Sequence, residues 1–339
     1  MNYNGKIDGE IAVSIMITYY NQKKYIADSI GSVLNQKTNF RYEILCGDDG
    51  STDGSYEELL EWRNRYPDVI RVFRMDRNDG KKEPIIRASN NRYNLYKHAI
   101  GNYITILDGD DFYTSNDKLQ LQFDILENDK TLSACCHPMN MVWDGKKELR
   151  KIGINSKNAI RMSVREYLLC YWIPAEAFLF RRSVEPNLIN ENFFDDNLIT
   201  MYFIKGGDIY YLPKIMAAYR QRPESSWNKR NNVEKCLVNI KGYEETIKIM
   251  KEYRLCCFAR YCEIYNTLFR NKKQICEFKE ESLLEIHNKM FSDTLKFNEM
   301  NWIDKIAYDF RYFMISHCKI IVKPWVKIMR FCIKRKGIK

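Results

Sequence analysis

A nearly unbroken apolar run, Ile11-Ala12-Val13-Ser14-Ile15-Met16-Ile17, opens the patterned part of the chain. Such a run predicts a strand buried on both faces, as in the centre of a parallel sheet. Lys23 to Gln36 follows with Ile26, Ile30, Val33 and Leu34 at helical spacing. Strands are then predicted at Tyr42–Cys46, Val69–Phe73 and Tyr103–Leu107, and helices at Ser55–Tyr66 and Asn90–Ala99. A polar loop, Asp76 to Arg87, contains Gly80 and Pro84. Ser115 to Asp117 offer caps for a helix carrying Leu119, Phe123 and Leu126. This alternation predicts an α/β fold, an open and mostly parallel sheet with helices on both faces. Further on, Glu176–Arg181 and Asp208–Leu212 read as strands and Asp196–Lys205 as a helix. Residues 143–173 are irregular. From Asn232 onward only helical spacing is visible.

With 339 residues the chain can hold one main domain and an appendage. The expected division is a catalytic domain over residues 1–230 and a helical C-terminal region over 231–339. The net charge of +10 is uneven: residues 310–339 carry nine Lys/Arg and no Asp/Glu. Residues 1–10 are polar, and the first apolar run is too short for a secretory signal. No apolar stretch reaches the roughly 18–20 residues of a membrane span. The eleven cysteines form no CxxC pair and are expected to be reduced, buried thiols of a cytoplasmic protein. The four histidines form no HExxH pair.

The candidate chemistry sits where apolar strands stop. Leu107-Asp108-Gly109-Asp110-Asp111 ends one strand in three carboxylates around one glycine. Three like charges there repel unless a cation sits among them, and ligands of open α/β sheets bind at the carboxyl ends of strands. A divalent metal with a phosphorylated ligand explains this composition; a solvated acidic turn explains it too. Thr18-Tyr19-Tyr20-Asn21 can hydrogen-bond a nucleoside and stack on its base; by itself it reads more simply as a helix cap and a half-buried aromatic. Gly47-Asp48-Asp49-Gly50-Ser51-Thr52-Asp53-Gly54-Ser55 combines a turn and a helix cap with an acid, Asp48, that has no capping work to do. Asn78, Gly80, Lys81, Lys82 and Arg87 form a basic loop that suits a diphosphate, though solvated surface lysines are its default reading. There is no GxxxxGK[ST], no GxGxxG after the first strand and no GxSxG, which disfavours P-loop, dinucleotide-binding and serine-hydrolase chemistry.

Taken in order, these motifs resemble the family 2 glycosyltransferases of the GT-A fold. The resemblance covers residues 11–227 and includes Gly101-Asn102-Tyr103-Ile104 and Lys118-Leu119-Gln120. It implies a nucleotide-sugar half over about residues 11–115 and an acceptor half over 116–230. Thr18, Tyr20, Asn21, Asp48, Asp49 and Arg87 are implied to serve the donor, a UDP-sugar by preference. Asp108-Gly109-Asp110 would be the DxD motif, Asp110 holding Mn²⁺ or Mg²⁺ and Asp108 the metal or the ribose. The acid pair Asp195-Asp196, opening a helix in the second half, implies Asp196 as the base of an inverting transfer, with Asp195 beside it. The same pair also reads as a helix cap followed by a first-turn acid. Tyr219-Arg220-x-Arg222-x-x-Ser225-Ser226-Trp227 is similar to an element that closes over the diphosphate, with Arg222 where the family usually has histidine.

The resemblance implies transfer to a glycan or lipid-linked acceptor in surface polysaccharide synthesis. Residues 318–339 mix Trp325, Phe331 and several isoleucines with Lys and Arg. They read either as a peripheral anchor on anionic lipid at the inner face of the cell membrane or as a packed terminal helix. Two alternatives stand beside the transferase: a nucleotidyltransferase with a similar sheet, which would release pyrophosphate, and a non-catalytic sugar-nucleotide or glycan-binding protein. Nucleic acid is not an expected partner.

Overall fold

The computed structural model describes residues 9–77, 83–143, 149–170, 172–223, 225, 227–253 and 257. Asn78, Gly80, Lys81, Lys82, Ser226 and the basic tail at 318–339 lie outside them. The chain divides into two compact units, Met1–Val164 with Tyr171–Arg222, and Arg165–Cys170 with Pro223–Lys339.

The first unit is built on β1 (Ile11–Tyr19), β2 (Arg41–Asp48), β3 (Ile70–Arg74) and β4 (Tyr103–Asp108). They lie parallel in the order β3-β2-β1-β4. Val13, Ile15, Ile17, Ile44, Leu45, Ile104 and Leu107 are buried, as continuous apolar runs require. The crossovers carry α1 (Ile26–Leu34), α2 (Ser55–Arg65) and α3 (Pro84–His98). The expected helix at Lys23–Gln36 begins instead as a 3₁₀ turn, Lys23–Tyr25, and ends at Leu34. Helix α3 starts six residues before its expected Asn90, because Pro84 at its first turn needs no backbone donor there.

After β5 (Phe112–Tyr113) and α4 (Lys118–Asn128) come strands, divided between two sheets, that the sequence pattern did not predict. These include β6 (Leu132–Cys136), β7 (Met139–Trp143), β8 (Arg150–Ile152) and β9 (Ile160–Met162). A short helix α5 (Val164–Cys170) precedes β10 (Leu179–Arg181), α6 (Asp196–Ile204), β11 (Asp208–Tyr211) and β12 (Ala217–Gln221). The strand expected from Glu176 starts only at Leu179. Ala175–Ala177 form a 3₁₀ turn in which Ala177 N donates to Pro174 O at 3.0 Å. The main sheet has eight strands in the order β3-β2-β1-β4-β10-β6-β11-β9, with β10 antiparallel to both neighbours. Strands β5-β12-β7-β8 form a smaller second sheet.

In the second unit, α7 (Asn232–Ile249) opens on a reciprocal capping box between Asn231 and Glu234. Among the described residues no helix is long and apolar enough to cross a membrane.

Candidate active site

Register sets the site. Thr18 lies opposite both Gly47 and Asp108, and Tyr19 opposite Asp48, so β1, β2 and β4 end at one level. At that level Asp48 is fully buried. Its Oδ2 accepts from Ser51 N at 3.1 Å and lies 3.7 Å from Arg74 Nε, whereas its Oδ1 has no partner. A buried carboxylate oxygen without a donor is costly and suits a ligand N–H. Thr18 is half-buried beside it, and Asn21 holds a left-handed φ of 51° while its Oδ1 accepts from Thr52 N. Tyr20 is 43% exposed, with the Arg77 guanidinium 3.5 Å above its ring. Asp49 binds two arginines: Arg87 Nη2 at 2.6 Å and Arg77 Nη2 at 2.8 Å. Arg87 is buried on that carboxylate, and the pair ties α3 to the end of β2.

The β4 turn separates its three acids. Asp110 is buried, its Oδ1 accepting from Gln22 Nε2 at 2.9 Å and its Oδ2 from Arg222 Nε at 2.5 Å. Burial first, and Asp108 second, raise its pKa; Arg222 pulls it back. Asp111 is fully buried, accepts from Arg220 N at 2.7 Å and so ties the turn to β12. The Arg220 guanidinium lies on Asp28 at 2.9 Å and over the Tyr25 ring. Only glycine fits at 109, since a Cβ there would meet Tyr19 Cδ1 at 2.2 Å.

Asp108 Oδ1 accepts from Arg92 Nη2 at 2.7 Å, and Arg92 Nη1 lies 3.4 Å from Asp196 Oδ1. One buried guanidinium thus bridges the acidic turn after β4 and the Asp195-Asp196 pair. Burial opposes the charge on Arg92, but Asp108 and Asp196 outweigh it and raise its pKa. An aromatic cluster fixes the start of α6: Tyr96 lies 5.5 Å from Phe194 and 5.4 Å from Phe203.

The two acids of the pair have different work. Asp195 caps α6, its Oδ1 accepting from Asn197 N at 2.9 Å and Leu198 N at 3.0 Å. The Asp196 side chain is 51% exposed and faces Arg92. Burial, then Asp196, push the Asp195 pKa up to about 6. The folded chain therefore holds this proton more tightly than the unfolded chain, whose value is about 3.9. Its contribution to stability falls as pH rises from about 4 to 6. Asp195→Asn, which keeps a capping oxygen, is expected to flatten that part of a stability–pH curve measured by urea unfolding. An unchanged slope would contradict the buried charge.

Four residues of this site escaped the sequence reading as functional positions: Gln22, Arg92, Lys118 and Glu176. Lys118 is fully buried, with Nζ 4.4 Å from the Tyr113 ring centroid and no hydrogen-bond partner, and burial brings its pKa down to about 7. Glu176 is also buried; burial, then Asp108 and Asp196, raise its pKa well above the usual range. Arg92 and Lys118 carried a signal. Each sits on the buried stripe of its helix, Arg92 with Leu95 and Tyr96, Lys118 with Gln122 and Leu126. Gln22 gave none.

A family model described as "Glycosyl transferase family 2" matches residues 14–188. The chain belongs to glycosyltransferase family 2. Within that family it is similar to an uncharacterized protein of Mycobacterium tuberculosis, 28% identical over 223 residues. That match covers 64% of this chain and 60% of the relative. A poly(ribitol-phosphate) beta-glucosyltransferase of Bacillus spizizenii is 34% identical over 104 residues, 30% of this chain and 15% of that protein. The fold is that of S. aureus TarS, solved in complex with UDP-GlcNAc, with TM-score 0.59 and 16% identity over 84% of this chain and 80% of that one. A Pyrobaculum calidifontis mannosyltransferase with GDP-Man and Mn²⁺ gives TM-score 0.51 at 14% identity, over 86% of this chain and 84% of that one. The chain thus shares the GT-A arrangement of a largely parallel central sheet.

Proposed function

We propose that this family 2 member transfers a sugar, with inversion, from a nucleoside-diphosphate donor to a glycan or lipid-linked hydroxyl. The observation that carries the reading is the Arg92 bridge: it joins a strand-end acid of the nucleotide half, Asp108, to an exposed acid of the other half, Asp196. The unpartnered Oδ1 of Asp48 supports a nucleoside with a ring N–H to donate, as uracil has. A UDP-sugar is therefore the preferred donor.

The carboxylates fit a divalent cation in chemistry, since hard oxygen ligands suit Mn²⁺ and Mg²⁺. Asp110 already takes a cationic group on one oxygen, Arg222. Among the described residues no group of three or more His, Cys, Asp or Glu stands assembled for a metal. Asp110 and Asp108 are the residues that would hold such an ion, which offsets charge on the departing diphosphate when bound.

The chain's own groups supply the rest. Asp196 accepts the proton of the acceptor hydroxyl, whose oxygen attacks the anomeric carbon from the face opposite the nucleotide. The bond from that carbon to the phosphate oxygen breaks, and the nucleoside diphosphate leaves with the electron pair. Arg222 lies where a guanidinium can pair with phosphate oxygens. Arg222→Gln is expected to raise the donor KM about tenfold, with Arg222→Lys intermediate, read from UDP release. A donor KM unchanged in both variants would remove Arg222 from the donor site.

The deciding experiment screens nucleotide sugars for hydrolysis with and without Mn²⁺. Release of UDP from a UDP-sugar is the expected result. Pyrophosphate release would instead mark a nucleotidyltransferase, and donor binding without any release a binding protein. An acceptor at the inner membrane face, approached through residues 318–339, belongs to the same proposal.

A further inference from the structure

Trp172 is 54% exposed, the one tryptophan among the large apolar side chains that the described residues leave open. Its ring is not loose. Ile173 and Ala175, each 2% exposed, root the segment in the core. The indole Nε1 donates to Asn197 Oδ1 at 3.3 Å, and the backbone N–H of Asn197 is itself held by the Asp195 cap. The polar edge of the indole is thus satisfied, while more than half of the residue is open to water. The residue that anchors it follows Asp196 directly in α6. An exposed aromatic held in place by its polar edge has a stacking surface already oriented for a ligand.

We propose that Trp172 is the acceptor platform, stacking one face of a pyranose ring so that a ring hydroxyl meets Asp196. This rests on the transferase reading and names its acceptor class as a sugar ring. A pyranose offers a face of C–H groups to an indole and a rim of hydroxyls to groups such as the Asn197 carboxamide and the Asp196 carboxylate.

The test uses the full chain labelled with 5-fluorotryptophan, with UDP and Mn²⁺ present. It has six tryptophans, and Trp172→Phe assigns the signal of interest. Methyl glucoside and methyl N-acetylglucosaminide are expected to move the Trp172 fluorine resonance, and ribitol phosphate to leave it in place. A resonance unmoved by both glycosides, or moved by ribitol phosphate alone, overturns the platform. In kinetics with a glycoside acceptor, Trp172→Ala is expected to raise the acceptor KM about tenfold and Trp172→Phe much less. Hydrolysis of the UDP-sugar by water should be equal in all three proteins, and an equal loss of hydrolysis and transfer would assign Trp172 to structure. A wild-type chain with no donor hydrolysis would defeat the transferase reading itself. Hydrolysis with a silent Trp172 would defeat only the platform.

Discussion

Asp196→Asn is expected to fold, bind the donor as the unaltered chain does, and transfer sugar about 10²–10⁴-fold more slowly. The fold survives because Asp195, not Asp196, accepts the first backbone donors of α6. Donor binding should survive because Thr18 and Asp48, the residues proposed to hold the nucleoside, lie on β1 and β2, away from α6. What is lost is the one exposed carboxylate on Arg92 that can take a proton from an acceptor. The measurement pairs donor affinity by calorimetry with product formation. Normal transfer by the variant would place the base elsewhere, with Asp195 the next residue to replace.

Asp110→Ala is expected to act at the other end of the reaction. It removes the carboxylate that both Gln22 and Arg222 address. Turnover should fall about 10²–10³-fold or more, as when a transition-state charge loses its partner. Any gain in nucleotide affinity on adding Mn²⁺ should vanish with it. Asp110→Asn separates charge from shape, since it keeps an oxygen for Gln22 while giving Arg222 no anion. Turnover at the original rate in either variant would mean that the turn after β4 grips no diphosphate.

The parallel half of the fold was legible because each of its strands is a short apolar run ending in a polar turn, from Ile11–Ile17 to Tyr103–Leu107. Strands β6 to β9 were not, because their signals are local and mixed. Cys135-Cys136 is buried, yet Arg150-Lys151 on β8 is exposed, and β6, β7 and β9 take partners, β11 and β12, that are distant in sequence. The acids at strand ends were legible for the same reason as the strands. Their partners were not: a sequence shows three repelling carboxylates but not that Arg92, Arg222 and the backbone of Arg220 divide them. The cap was legible too: a helix starting at Asp196 makes Asp195 its cap and Asp196 its first-turn acid, as the structure has them.

Arg92 also fixes an order of events during synthesis. It reaches Asp108 across 16 residues and Asp196 across 104. Closing the first loop is cheap and local, whereas the second must wait until the chain has passed α6. A nascent chain emerging N-terminal first can therefore set the nucleotide-side turn early, with one Arg92 nitrogen still lacking its second carboxylate. On the proposed mechanism the base arrives only with Asp196, so a ribosome-bound fragment ending before α6 would present the Asp108 turn without the acid proposed to start the reaction.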